Sequence, residues 1–195
     1  MILYLHGLNS TPESHKARLL AARMAELGLG NRLHIPSLSC DPAAAIATAE
    51  RRLAALEQPV TLVGSSLGGF YATWLAEKHG LKAVLVNPAV EAPRLARLWL
   101  GPQKNHYSGE EWLLTEAHAA ALDALDIAAV THPERYLLLI ETGDEVLDWH
   151  RAVEKFRGAR QIVVEGGDHG FASFAEHIDA ILRFAGLIDQ GNLIL

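Results

Sequence analysis

Along the chain, short apolar runs alternate with longer stretches in which apolar residues recur every three or four positions. The runs fall at residues 2–5, 32–35, 60–63, 83–86, 136–140 and 161–164, and most are apolar at successive positions rather than at every second one. A strand is apolar on both sides when helices cover both faces of its sheet, so these runs predict buried parallel strands. The intervening segments carry helix punctuation. Thr11-Pro12 offers a capping hydroxyl and a proline suited to a first turn, with Leu19, Leu20, Met24 and Leu27 as the apolar face and Gly28 as the stop. Asp41-Pro42 opens a second helix with the stripe Ile46, Ala49, Leu53 and Leu56. A third runs from Ser66 through Phe70, Tyr71, Trp74 and Leu75 to Gly80. Helices over 148–157 and 171–185 complete the alternation.

Between Asn87 and Pro133 the alternation pauses. This segment shows helical patterns at 95–100 and 110–125 and no strand, which is long for a plain crossover. It predicts a small helical lid or cap over 87–133, with Leu95, Leu98, Trp99, Leu100, Tyr107, Trp112 and Leu113 as its apolar residues. Strands separated by helices imply right-handed crossovers and a parallel sheet, here within one α/β domain spanning 1–195.

Composition narrows the function classes. The 195 residues are 50% hydrophobic and 21% charged, with a formal net charge of -6, which argues against disorder and against the basic footprint of nucleic-acid binding. A single cysteine, Cys40, excludes an internal disulfide and a four-thiolate zinc site. Neither His-Glu-x-x-His nor paired Cys/His spacing occurs, so no metal is expected. The first residues have no basic stretch and no long apolar segment, and no run is long enough to span a bilayer, so a cytoplasmic protein without membrane insertion is expected.

In such a sheet, ligands bind beyond the carboxyl ends of the strands, so the residues just after each run carry the candidate chemistry. After the third run stands Gly64-Ser65-Ser66-Leu67-Gly68. The serine of a sharp strand-to-helix turn needs small residues two before and two after it, because strand and helix backbones approach closely there. Ser66 meets that condition; Ser65 does not, since Val63 stands two before it. No Lys-Ser/Thr pair follows the glycines, and Gly-x-Gly-x-x-Gly is absent, which disfavours nucleotide-binding loops.

A serine hydroxyl needs a base, and the base needs an orienting carboxylate. Of ten histidines, His15, His79, His118, His150 and His177 fall in or beside helices, His34 in a strand, and His106 and His132 in the excursion. His6 lies on the rim, where its neighbour Gly7 suggests a backbone role. His169 follows the last strand among glycines and precedes a helix, so it is the candidate base. Asp144 follows the fifth strand in a short loop and is the candidate acid. Asp148 is the alternative, though its position suits a helix N-cap, and Asp168 is too close in sequence to His169 to orient it. The backbone N–H groups of Leu67 and Leu8 are the candidate oxyanion donors.

The stretches Leu3-Tyr4-Leu5-His6-Gly7-Leu8-Asn9-Ser10, Val63-Gly64-Ser65-Ser66-Leu67-Gly68-Gly69, Val86-Asn87-Pro88-Ala89-Val90, Thr142-Gly143-Asp144-Glu145 and Gly166-Gly167-Asp168-His169 together resemble the α/β-hydrolase superfamily, and within it the small bacterial YqiA-type esterases. The resemblance implies a trimmed six-stranded, mainly parallel sheet of order 2-1-3-4-5-6 with helices on both faces. It further implies a serine esterase or thioesterase acting on acyl esters or acyl-CoA, without a cofactor, whose catalytic residues fall on Ser66, Asp144 and His169. An amidase, a C–C hydrolase, an acyltransferase or a non-catalytic binding module on the same fold are the alternatives.

Overall fold

A computed structural model describes residues 1–105 and 107–189; His106 and the apolar end Leu193-Ile194-Leu195 lie outside the described residues. The main sheet is built from β1 (Ile2–Leu5), β2 (Leu33–His34), β3 (Thr61–Ser65), β4 (Lys82–Val86), β7 (Tyr136–Glu141) and β8 (Arg160–Val164). Its spatial order is β2-β1-β3-β4-β7-β8. That is the expected 2-1-3-4-5-6 once a small hairpin, β5 (Gly101–Lys104) and β6 (Glu111–Leu114), is counted in the chain. All five pairings are parallel, and one register row runs Tyr4, Val63, Val84, Leu137, Arg160.

Alternate residues of each strand feed two cores. Ile2, Tyr4, Val63, Val84, Leu137 and Leu139 pack with α1 (His15–Glu26) and α7 (Phe174–Phe184). Leu3, Leu5, Leu62, Leu85, Leu138 and Ile140 pack with α2 (Pro42–Ala54), α3 (Leu67–His79) and α6 (Trp149–Lys155). Burial on both faces is why the strand sequences show no alternation. Helix α7 shows the opposite pattern: its buried residues Phe174, Ile178, Ile181 and Leu182 form one stripe along an otherwise polar helix. No helix among the described residues is long and apolar enough to cross a membrane.

The helix starts follow local chemistry. Asp41 caps α2 by accepting the Ala44 N–H at 2.7 Å, with Pro42 at the first position. Thr11-Pro12, in contrast, does not open α1. The Thr11 carbonyl accepts the Ser14 N–H and its hydroxyl accepts the Glu13 N–H, a turn that delays the helix to His15.

The excursion corrects the reading of its pattern. It contains α4 (Ala92–Leu98), then the antiparallel hairpin β5–β6, then α5 (Glu116–Asp123), so the cap is not purely helical. The stretch read as one helix over 110–125 is a strand followed by a shorter helix. The cause is a turn: Asn105 Oδ1 accepts the N–H groups of Tyr107 and Ser108 at 2.9 and 3.0 Å. Gly109 takes a positive φ of 75°, and the chain is sent back along β5.

Candidate active site

The loops after β1, β3, β7 and β8 meet at the carboxyl edge of the sheet. Ser66 sits between β3 and α3 with φ 55° and ψ -122°, a conformation that L-residues adopt only when their surroundings enforce it. The enforcement is visible at the flanking glycines. A Cβ on Gly64 would collide with the carbonyl of Gly68, and a Cβ on Gly68 with the carbonyl of Leu5. Strand, the turn at Ser66 and helix are therefore interlocked by backbone contact alone. On the other side Gly7 approaches Ser66 so closely that a Cβ there would lie 3.2 Å from the serine Cβ.

His169 Nε2 lies 3.1 Å from Ser66 Oγ, and His169 Nδ1 lies 2.9 Å from Asp144 Oδ2. With Nδ1 carrying the proton, the imidazole donates to Asp144 and accepts from the serine hydroxyl. Asp144 is fixed in turn: its Oδ1 accepts the N–H groups of Val146 and Leu147 at 2.9 and 2.8 Å. Its side chain is only 2% exposed. Burial would push this carboxyl up, yet the hydrogen bond and charge of His169, with the two N–H donors, hold it below its usual range. Glu145 adds a bond from the loop itself, its Oε2 accepting the His169 N–H at 3.0 Å.

The structure thus brings Ser66, His169 and Asp144 into one hydrogen-bonded chain and leaves the alternatives outside it. Asp148 caps α6, accepting the His150 N–H at 3.0 Å. His6 is buried away from Ser66: its Nε2 accepts the Leu38 N–H at 3.0 Å and its Nδ1 is 3.0 Å from the Gly7 carbonyl. Burial holds this imidazole below its usual pKa, and its hydrogen bond to Leu38 ties the loop after β1 to the loop after β2. The N–H groups of Leu8 and Leu67 have no hydrogen-bond partner among the described residues, and both residues border the same cavity as Ser66 and His169.

That cavity, of about 320 Å³, is mainly apolar, walled by Ala89, Ala92, Leu95, Ala96, Trp99, Leu114, Leu122 and Leu147, with Asn9, Cys40 and Gln103 as further lining residues. On the opposite side of Ser66 and His169 lies a groove of about 460 Å³ bordered by Ser10, Ser14, His15, Lys16 and Tyr107. Of the apolar residues singled out in this segment, Leu95 and Trp99 border the cavity, although Trp99, like Leu98, Leu100, Tyr107 and Leu113, is also exposed to solvent. Trp112 instead donates its indole N–H to Asn9 Oδ1 at 2.8 Å. Asn9 Nδ2 reaches Gln103 Oε1 at 3.3 Å, and Asn105 Nδ2 donates to the Ser10 carbonyl at 3.2 Å. The hairpin is stapled to the loop that presents Leu8. Sequence reading missed this staple and the role of Glu145, because neither partner carries a local motif; only the polar Asn9 beside His6-Gly7 hinted at it.

Solved structures share this architecture at low sequence identity. α/β hydrolase domain-containing protein 10 from mouse superposes with a TM-score of 0.72 at 17% identity, covering 93% of this chain and 89% of that one. Est1E from Butyrivibrio proteoclasticus, solved with ferulic acid bound, gives 0.70 at 14%, covering 94% and 86%. The esterase domain of a Rhodothermus marinus protein gives 0.65 at 17%, covering 94% and 85%. The fold is that of the α/β-hydrolases. A family model spans nearly the whole described chain, residues 1–186, and through it the protein belongs to the uncharacterised protein family UPF0227, the YqiA-type family that its loop motifs resemble.

Proposed function

We propose that this protein hydrolyses carboxylic esters or thioesters through an acyl-enzyme on Ser66. The observation that carries the reading is the unbroken chain Asp144–His169–Ser66, with hydrogen bonds of 2.9 and 3.1 Å, ending on a serine in a strained turn. Ser66 Oγ attacks the carbonyl carbon while its proton passes to His169 Nε2, and Asp144 stabilises the imidazolium. The N–H groups of Leu8 and Leu67 receive the negative oxygen of the tetrahedral intermediate. Collapse breaks the bond to the alcohol or thiol, which leaves with the proton from His169. Water, giving its proton to the same nitrogen, then releases the acid and restores the serine.

The two spaces beside Ser66 support a division of the substrate. An acyl chain suits the apolar cavity, and a polar leaving group such as an alcohol or the thiol arm of acyl-CoA suits the groove by Lys16. The esterase names of Est1E and the Rhodothermus marinus domain, and the ferulic acid bound to Est1E, agree with an ester-cleaving reading.

Incubation with a fluorophosphonate probe, followed by intact mass and peptide mapping, tests this reading without a known substrate. Labelling at Ser66 that is absent in Ser66→Ala is expected, and it justifies a panel of acyl esters and acyl-CoA thioesters. An unlabelled, well-folded wild-type protein would overturn the proposal.

A further inference from the structure

Glu141 is an anomaly in its own strand. It ends the run Tyr136-Leu137-Leu138-Leu139-Ile140, points to the side of the sheet that packs against α1 and α7, and is 1% exposed. A buried carboxylate at an apolar position requires partners that satisfy both oxygens. Its partners all come from the loop that carries His169 and from the start of α7. Oε2 accepts the N–H groups of Asp168 and Ala172, each at 2.9 Å. Oε1 accepts the Ser173 N–H at 2.9 Å and the Ser173 hydroxyl at 2.6 Å. Gly167, with φ 73°, lies so tightly on the carboxylate that a Cβ there would collide with it.

Other groups hold the same loop from its remaining sides. Asn87 donates from Nδ2 to the carbonyls of Asp168, at 3.1 Å, and His169, at 3.5 Å, while its Oδ1 accepts the Glu141 N–H at 3.0 Å. Lys16 Nζ donates to the Gly170 carbonyl at 2.6 Å. Glu141 takes four donors on both sides of His169, and no bond in that set involves the imidazole itself. Burial would push the Glu141 carboxyl up, but the hydrogen bonds from Ser173, Asp168 and Ala172 hold it below the usual range.

We infer that Glu141 is the positioning residue for His169: its two oxygens fold the 167–173 loop around themselves and so hold the imidazole within reach of both Ser66 and Asp144. The role deepens the proposed hydrolase reading, on which its kinetic test rests. It belongs to the acceptor oxygens rather than to chain shape alone, so a side chain of similar length that keeps an acceptor retains most of it. In Glu141→Gln the amide oxygen can serve Asp168 and Ala172, and the Ser173 hydroxyl can turn to accept from the amide NH2, so that of the three N–H groups only that of Ser173 loses its acceptor. Glu141→Ala leaves three buried N–H groups without an acceptor.

The test combines kinetics with proton NMR of the His169 Nδ1–H, which is shifted far downfield when it bonds a carboxylate. Glu141→Ala is expected to lower kcat by about 100-fold with KM changed by less than about 3-fold, as expected for a sub-ångström to ångström displacement of the base. The downfield signal should vanish in that variant and return in Glu141→Gln, with kcat within about 10-fold of wild type. If Glu141→Ala does not fold, Ser173→Ala, which removes one donor, should still weaken the signal and lower kcat a few-fold. Leu53→Ala, a core truncation in α2, controls for lost stability and should leave the signal in place. A sharp signal and normal kcat in folded Glu141→Ala overturn the inference, and so does Glu141→Gln behaving as badly as Ala. Because the NMR signal requires no turnover, it decides the role of Glu141 even if Ser66 proves unreactive in the wild-type protein.

Discussion

Around Ser66 the backbone is enclosed by other backbone: Gly64 against Gly68, Gly68 against Leu5, Gly7 against the serine itself. The 87–133 segment that walls the neighbouring cavity is built differently. Its inner residues Ala92, Ala96, Leu114, Ala119 and Leu122 pack into the main core through side chains, side-chain hydrogen bonds from Asn9, Asn105 and Trp112 staple its hairpin to the loop after β1, and it leaves Leu98 and Leu113 more than half exposed. The difference is one of tolerance. Contacts between main-chain atoms have no rotamers with which to relax, so geometry at the sheet edge is fixed to a fraction of an ångström. A wall made of side chains can change its lining while the backbone around Ser66 stays in place. On the proposed reading, chemistry belongs to the first region and selectivity to the second.

Three substitutions sharpen or break that contrast. The largest effect is expected from Asp144→Asn, which keeps the shape but withdraws the charge that fixes the His169 tautomer; kcat should fall by about 10^4. This residue also gives a pH signature. Its folded-state pKa is lowered, so its stabilisation is complete above the unfolded value, near 4, and is lost as pH falls through the lower folded value. Unfolding free energy measured across that acid window should therefore drop less steeply in Asp144→Asn than in wild type. An identical slope would show that the buried bond to His169 contributes nothing to folding.

Next comes Gly68→Ala, where one methyl meets the Leu5 carbonyl. Overpacking of this kind costs about 1–3 kcal/mol or more, and a lowered Tm together with lost fluorophosphonate labelling is expected. A variant that is stable and labelled at the wild-type rate would show that the edge is looser than its contacts imply. The smallest effect belongs to the cap. Ala96→Phe reduces the apolar cavity from its α4 wall and should lower kcat/KM on octanoyl esters about tenfold more than on acetyl esters, since each buried methylene is worth about 0.8 kcal/mol. Equal losses on both chain lengths would place the acyl group elsewhere.

The sheet was legible because its information is local. Short runs that are mostly apolar on both faces and separated by helical stretches read as strands covered on both sides, and handed crossovers leave few orders for them. The observed order β2-β1-β3-β4-β7-β8 is the one expected. The Gly-x-Ser-x-Gly spacing was legible for the same reason: the approach of Gly64 to Gly68 occurs within five residues, whereas that of Gly68 to Leu5 does not. The hairpin in the excursion was not, since Glu110-Glu111-Trp112-Leu113-Leu114 supports a helical stripe as well as a strand, and Asn105 and Gly109 decide between them by closing a turn.

What the sequence determined by itself, then, is the sheet, the turn at Ser66 and the short set of polar residues on its rim. Which carboxylate faces His169 was decided only by the tertiary structure. Asp144 and Asp148 lie four residues apart, and the loop after β7 turns one toward the imidazole and spends the other on the first turn of α6. The same holds for Glu141 and Asn87, which lie 54 residues apart and meet through a hydrogen bond between neighbouring strand ends. Their partners in the His169 loop lie up to 82 residues away along the chain, from Asn87 to His169, beyond any local pattern. Hydrogen bonds between strand ends have no sequence period, because the distances that they close are set by strand order and crossover length rather than by the residues on either side.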